Sequence, residues 1–195
     1  LQRIGLALDP VLTQGQRSNI VRILARGKTD GMTGGNLVWT AGATVVRGAL
    51  DGKAEVAARA FELIADEIRI APDDDEGVKV DGSFHQHGQQ IYNQGYGSVF
   101  AIDSSRFMYY AAGTAYEFPK EKADVLATCV LDGSRWMLYR NVFDYSCRGR
   151  EITRAARGFA NSYLAEVCKN LKLQAGPRQA ELASLLQSLG LFEEA

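Results

Sequence analysis

The stretch KAEVAARAFELIADEIRI, residues 53–70, repeats its apolar side chains at the period of an α-helix. At spacings of three to four residues, a helix places them all on one face. The residues of this face are Val56, Ala57, Ala60, Phe61, Ile64 and Ile68. Pro72 and the acidic run 73–76 follow and end the pattern. The stretch therefore predicts an amphipathic helix that packs against other helices.

The same periodicity predicts helices through most of the chain, and residues 152–172 carry the most regular stripe. Gly176-Pro177 ends that stripe, because proline cannot continue a helix. The predicted helices are 16–26, 37–50, 53–70, 98–112, 121–132, 152–172 and 179–189. No stretch shows the sustained alternation of a half-buried strand. The sequence thus predicts an all-α fold of antiparallel helix hairpins.

Composition sets limits on the function. The chain has 195 residues, of which 46% are apolar, and this fits one domain or part of a larger one. The net charge of −1 argues against nucleic-acid binding and against a membrane-surface role. No apolar run approaches the length that spans a bilayer. Three widely spaced cysteines, Cys129, Cys147 and Cys168, are predicted to be buried free thiols.

Three long polar loops interrupt the helices, at 27–36, 73–95 and 134–151. Such loops are uncommon in a compact helical domain unless they are functional. Together the loops and their borders supply an amide, an imidazole, a phenol and guanidiniums, a set that suits proton abstraction beside a carboxylate. The residues that supply these groups are Asn36, His87, Tyr96, Arg148, Arg150 and Arg154.

Each of these residues also has a plainer interpretation when it is taken alone. An asparagine after glycines is commonly a turn residue, and a histidine in a polar loop commonly makes structural hydrogen bonds. His85 and His87 could form half of a metal site, but the chain has no third histidine. We therefore predict no metal site.

Three motifs taken in order resemble polysaccharide lyase family 8, which includes hyaluronate, chondroitin and xanthan lyases. TGGN at 33–36 is similar to the family's T-G-A-N-R, although Leu37 replaces the arginine. DGSFHQH at 81–87, followed by GYG at 95–97, resembles the family's D-G-S-(F/Y)-x-x-H stretch. RGREITR at 148–154 matches every fixed position of R-G-R-x-(I/V)-(S/T)-R. The resemblance covers residues of about 30–157.

The resemblance implies a fold and a set of roles. The fold would be an incomplete α/α toroid, with residues 1–195 as one segment of its catalytic domain. Upstream helices and downstream β domains would lie outside this chain. By position, Asn36 would neutralise a uronate carboxylate, and His87 and Tyr96 would transfer protons.

The remaining implied roles concern charge and substrate binding. Arg150 would keep the site positive next to the phenol. Arg154 and Arg148 are expected to bind substrate, and Tyr92 is expected to bind substrate, to pack or to line the cleft. Arg154 would fall in the first turn of the predicted helix 152–172, where the helix dipole disfavours a cation.

The implied reaction is β-elimination on a polysaccharide that contains uronic acid, and it requires no metal or organic cofactor. The expected partners are an acidic polysaccharide and the remaining domains of the parent lyase, with no nucleic acid and no membrane. The implied location is extracellular or periplasmic. Two alternatives stay open: a toroidal lyase of the alginate or heparin type, and a non-catalytic helical scaffold that binds a carbohydrate or a partner.

Overall fold

The computed structural model describes residues 2–154, 160–174 and 178–190. Eight α-helices form most of this part of the chain, and none of them is long and apolar enough to cross a membrane. The helices are α1 (Gln2–Leu8), α2 (Gln14–Leu24), α3 (Gly34–Asp51), α4 (Ala54–Glu67), α5 (Ser98–Ala111), α6 (Lys120–Thr128), α7 (Ala160–Lys172) and α8 (Gln179–Gly190).

Helices α3 and α4 form the central hairpin, because only two residues join them and their faces pack along their lengths. Phe61 of α4 stacks on Tyr116 with ring centroids 5.3 Å apart, and it meets Phe107 of α5 edge-on. Helix α5 in turn packs on α7, and α7 packs on α8. The core is therefore a continuous layer of apolar faces between successive helices, as the periodicity of residues 53–70 predicts.

Local signals in the sequence account for several helix ends. Thr13 and Gln16 form a capping box at the start of α2: the Gln16 main-chain N–H donates to the Thr13 hydroxyl, and the Gln16 side chain accepts from the Thr13 N–H. Helix α1 is too short, at seven residues, for its apolar period to stand out, and the sequence did not predict it.

Two short hairpins lie in the loops. Strands β1 (Gly77–Val78) and β2 (Phe84–His85) pair antiparallel, and so do β3 (Leu138–Tyr139) and β4 (Val142–Phe143). The second hairpin lies within the predicted polar loop 134–151. The segments between the helices also contain short 3-10 turns and irregular helical turns, at Asp9–Val11, Asn93–Gly97, Cys129–Gly133, Ser134–Met137, Tyr145–Cys147 and Gly149–Thr153.

The predicted start of helix 152–172 is wrong. Residues Gly149–Thr153 form a 3-10 turn, and Arg154 follows it in an extended conformation. The Arg148 guanidinium donates to the main-chain carbonyls of Glu151 and Arg154, and the Glu151 carbonyl also accepts from the Arg154 N–H, as in a 3-10 turn. The regular helix begins at Ala160. Residues 155–159 and the predicted break at Gly176-Pro177 lie outside the described residues.

The three cysteines are free and buried, which confirms the prediction. Burial raises the pKa of the Cys129 and Cys168 thiols to about 12. Burial, with the nearby Asp144 carboxylate, raises the pKa of Cys147 to about 11. Since the thiolate is the reactive form, these cysteines are packing residues in the core.

We therefore expect the native protein to resist thiol alkylation at mildly alkaline pH, whereas the denatured protein should react at all three sites. The measurement is alkylation by iodoacetamide, followed by mass spectrometry of the peptides that carry Cys129, Cys147 and Cys168. Rapid labelling of any of these peptides in the native protein would contradict the burial of that thiol.

Candidate active site

The first turn of α3 presents Asn36 at the end of the first polar loop. Two main-chain donors of this turn are already used: the Gly34 N–H donates to the Glu67 carboxylate, and the Gly35 N–H donates to the Gln86 side chain at 3.1 Å. Asn36 is half-buried, and no described residue forms a hydrogen bond with its side-chain amide. The amide is therefore available to a ligand.

The second polar loop carries His87 and Tyr96. His87 adopts a left-handed backbone conformation, with φ of 62°, and its main-chain N–H donates to Glu76 at 2.6 Å. Its imidazole meets the Tyr96 ring edge-on, with centroids 4.9 Å apart and planes at 85°. The ring of Tyr96 also lies against Gly35: a Cβ atom at that position would stand 3.2 Å from Tyr96 Cδ1. Asn36 is the residue that follows Gly35 in the first turn of α3.

The third polar loop brings Arg150 to the same point. Its Nη2 donates to the Tyr96 hydroxyl oxygen at 3.0 Å. A guanidinium in this position stabilises negative charge on the phenol oxygen, because hydrogen bonds from charged donors are stronger than those between neutral groups. Three loops far apart in the sequence thus meet at one phenol, with an imidazole on one side and an unpaired amide nearby.

Tyr92 packs inside the protein, which is one of the roles expected for it, and does not present its side chain as a surface contact for substrate. Its side chain is 0% exposed and packs against the rings of Tyr96 and His87, with centroids 5.2 and 6.3 Å away. Burial raises the pKa of Tyr92, and the Glu151 carboxylate, which accepts from the hydroxyl, raises it further. Gly149 has φ of 51°, and a Cβ there would lie 2.6 Å from the Tyr92 ring. Tyr92 therefore supports the backbone that carries Arg150.

Arg148 is also not a surface contact for substrate, because only 5% of the residue is exposed. Its guanidinium binds carbonyls of its own loop and lies 5.4 Å from the Tyr145 ring. Arg154, by contrast, is exposed and pairs with Glu151 at 2.7 Å. An exposed ion pair contributes only about 0–1 kcal/mol, so Arg154 can exchange this partner for an anionic ligand.

The sequence did not reveal four residues that shape the site. Gln86, with 1% of its surface exposed, and the carboxylates of Glu67 and Glu76 bind the main chain around Asn36 and His87. Trp39 lies one turn after Asn36, is 44% exposed, and has its ring 6.0 Å from Tyr96. Helical spacing from Asn36 could have indicated Trp39, whereas nothing in the local sequence marks the other three.

Two wider features frame the site. A cavity of about 840 Å³ runs along α3, and Trp39 lines it together with apolar residues such as Val46 and Phe107. His87, Tyr96 and Arg150 do not line this cavity, so it is separate from the cluster that these three residues form. Within the described ranges, no group of three or more His, Cys, Asp or Glu side chains could hold a metal ion.

Comparisons with known proteins show which family the chain resembles in sequence. The family model for polysaccharide lyase family 8, N-terminal alpha-helical domain, matches residues 12–189. A hyaluronate lyase of Thermasporomyces composti is 28% identical over 149 residues, which are 76% of this chain and 19% of that protein. A xanthan lyase of Bacillus sp. (strain GL1) is 29% identical over 126 residues, 64% of this chain and 14% of that protein.

Solved structures share the fold. A chondroitinase AC lyase, studied with bound oligosaccharides, has a TM-score of 0.81 at 20% identity, over 92% of this chain and 26% of its own. A Paenibacillus xanthan lyase has a TM-score of 0.83 at 22% identity, over 98% of this chain and 19% of its own. These likenesses confirm the prediction of an all-α fold of the α/α-toroid type.

The fold and the cluster around Tyr96 thus define a helical segment of the polysaccharide-lyase type. The match over most of its length shows more narrowly that the chain belongs to polysaccharide lyase family 8. The chain spans less than a fifth of the curated relatives that it matches.

The carboxylate of Glu67 gives a test of how the start of α3 is held. Burial raises the pKa of Glu67 above its usual value of 4.5, although the hydrogen bond from Gly34 opposes this effect. The native state therefore binds this proton more tightly than the unfolded state. The resulting stability is fully present below about pH 4.5 and is lost as the pH rises through the raised pKa.

We expect the free energy of unfolding of the wild type, relative to Glu67→Gln, to fall between pH 4.5 and neutral pH. Urea unfolding at a series of pH values measures this difference. Glu62→Gln, at an exposed position of the same helix, is the control and should show no such trend. Parallel stability curves for the wild type and Glu67→Gln would show that burial does not dominate at Glu67.

Proposed function

We propose that this chain carries the catalytic groups of a lyase that cleaves an acidic, uronic-acid-containing polysaccharide by β-elimination. The observation that carries the proposal is the contact of one phenol with a guanidinium and an imidazole, beside a free amide. Arg150 donates to Tyr96 at 3.0 Å, and His87 meets the Tyr96 ring at 4.9 Å. Asn36 follows directly on Gly35, which touches that ring.

The first requirement of the reaction is to make the proton on C5 of the uronate removable. This proton is α to a carboxylate and is very weakly acidic, because its loss places further negative charge on an anion. The side-chain amide of Asn36 would donate to the carboxylate oxygen where that charge develops. Asn36 also lies in the first turn of α3, where the helix dipole favours negative charge.

The second requirement is a base that can take the proton and return it. The Tyr96 oxygen, as phenolate stabilised by Arg150, would remove the C5 proton. The electrons of the C5–H bond then form the C4–C5 double bond, and the bond from C4 to the glycosidic oxygen breaks. That oxygen takes the proton from Tyr96, which restores the phenolate. The products are a new hydroxyl end and an unsaturated uronate end.

His87 would act beside this step. Its ring packs on Tyr96, and no described residue forms a hydrogen bond with its imidazole nitrogens. An imidazole in this place can orient the phenol and donate to the substrate carboxylate. The chemistry uses side chains alone and requires no metal or organic cofactor.

The partners and the location belong to the same proposal. The substrate would be an acidic polysaccharide, and the rest of the full-length protein would complete the cleft. Support comes from relatives solved with sugars: a Streptomyces coelicolor chondroitin AC lyase was crystallised with chondroitin sulphate. A polymer of this kind is met outside the cytoplasm, so we place the protein in the extracellular space or the periplasm.

Tyr96→Phe tests the proton-carrying role. In the full-length protein it should lower kcat by on the order of 10²–10⁴, the range for a positioned acid–base group, and should change KM little. The assay follows the ultraviolet absorbance of the unsaturated uronate on a panel of hyaluronate, chondroitin, xanthan, alginate and heparin. Tyr109→Phe, at an exposed tyrosine of α5, is the matched control. Near-normal turnover of Tyr96→Phe would assign the proton transfer to His87 or to water.

Arg150 and Arg154 should differ in their response to salt. Arg150→Ala should lower kcat on the order of 10²-fold at any ionic strength, because its cation touches the reacting oxygen. Arg154→Ala should mainly raise KM, because Arg154 is exposed and would attract a polyanion at longer range. That penalty should shrink as salt shortens the Debye length to ~10 Å at 0.1 M. Similar behaviour of both variants would contradict the separate roles.

A further inference from the structure

One carboxylate lies between the two loops that carry Asn36 and His87. Glu76 Oε1 accepts from the His87 main-chain N–H at 2.6 Å. Glu76 Oε2 accepts from Gln86 Nε2 at 2.7 Å and from the Thr33 hydroxyl at 2.5 Å. Thr33 immediately precedes α3, whose first turn holds Asn36. Both oxygens of one side chain are thus bound to the parts of the chain that position the proposed site.

Gln86 extends this connection to the turn that carries Asn36. Its Nε2 also donates to the Thr33 carbonyl at 3.2 Å, and its Oε1 accepts from the Gly35 N–H at 3.1 Å. The residue is 1% exposed, so these bonds form away from water, where an unpaired amide would be costly. Glu76 and Gln86 therefore join the two loops as one hydrogen-bonded unit.

The backbone of His87 explains why such a unit is needed. Its φ of 62° lies in the left-handed region, which a residue with a Cβ adopts only when its surroundings hold it there. Within the described residues, the His87 main-chain N–H has one acceptor, the Glu76 carboxylate. In this conformation the imidazole meets the Tyr96 ring at 85°. Without the Glu76 acceptor, His87 could relax to a negative φ and carry its ring off Tyr96.

We propose that Glu76 is a positioning residue of the lyase site, which fixes His87 on Tyr96 and places Asn36 beside them without touching substrate. The proposal rests on the proposed function. Glu76 accepts from three donors, so both of its carboxylate oxygens are engaged by the protein. Glu76→Gln replaces one acceptor oxygen with an NH₂ group, which must then face at least one of these donors.

The test combines kinetics with a spectroscopic signal of the His87 ring. In the full-length protein, Glu76→Gln should lower kcat on the order of 10²-fold, the usual effect of a small misplacement of reacting groups, with KM nearly unchanged. In NMR spectra the His87 ring protons should lose the ring-current shift caused by Tyr96. His87→Ala assigns these resonances by their disappearance.

Glu117→Gln is the matched control, since Glu117 also accepts a main-chain N–H, from Gly113 at 2.8 Å, in the loop before α6. It should leave kcat and the His87 signal unchanged. Thr33→Val removes a single donor with little change in shape, and it should lower kcat by a smaller factor. If thermal melts show that Glu76→Gln does not fold, the kcat of Thr33→Val tests the positioning role of Glu76 instead.

The outcomes separate the two proposals. If the wild type cleaves none of the uronate polymers, the proposed function fails, while the NMR shift still reports whether Glu76 holds His87. If the wild type is active, unchanged kcat in Glu76→Gln, or an unchanged His87 signal, overturns the positioning role. An equal loss of kcat in Glu117→Gln would also overturn it, because loop stability alone would then explain the effect.

Discussion

The burial of the Gln86 side chain is the main constraint on where the loops that form this site meet. A primary amide has two donors and an acceptor, and in a position that is 1% exposed each of them needs a partner. Gln86 finds these partners at Thr33, Gly35 and Glu76. Because those partners belong to different loops, satisfying one amide fixes the distance between them. The helices supply rigid ends, and the buried polar contacts determine where the loops between them meet.

Contacts within the protein also determine the charge around Tyr96. Three carboxylates near the proposed substrate position are engaged by the protein: Glu67 accepts from Gly34, Glu76 from three donors, and Glu151 from Tyr92 and Arg154. Arg150, by contrast, donates to the Tyr96 hydroxyl oxygen, and among the described residues no carboxylate forms an ion pair with it. A chain with a net charge of −1 can therefore still offer a locally favourable place for an anion.

The sequence predicted the helices well because their apolar period reflects the buried faces of α3, α4, α5 and α7. It failed at residues 152–154, where the chain ends a 3-10 turn and then extends, and where the buried Arg148 binds the carbonyls of Glu151 and Arg154. The motifs located Asn36, His87, Tyr96 and Arg150, yet they identify positions and not orientations. Tyr92 and Arg148 belong to the same motifs but point into the protein. Gln86 could not be predicted, since its partners are set by tertiary contacts.

The proposed chemistry also limits what these four groups can recognise. In the proposed reaction the amide, the phenol, the imidazole and the guanidinium would address a carboxylate, a C5 proton and a C4 oxygen. All 4-linked uronates that carry this proton and this oxygen on the same face of the ring, as glucuronate does, offer these atoms alike. The groups around Tyr96 would therefore not distinguish one such polymer from another. Discrimination falls to side chains that touch the neighbouring sugars. Trp39 is the described residue best placed for this, because its half-exposed ring lies 6.0 Å from the Tyr96 ring. An aromatic face can pack on a sugar ring without addressing its charge, so selectivity and catalysis can change independently on this scaffold.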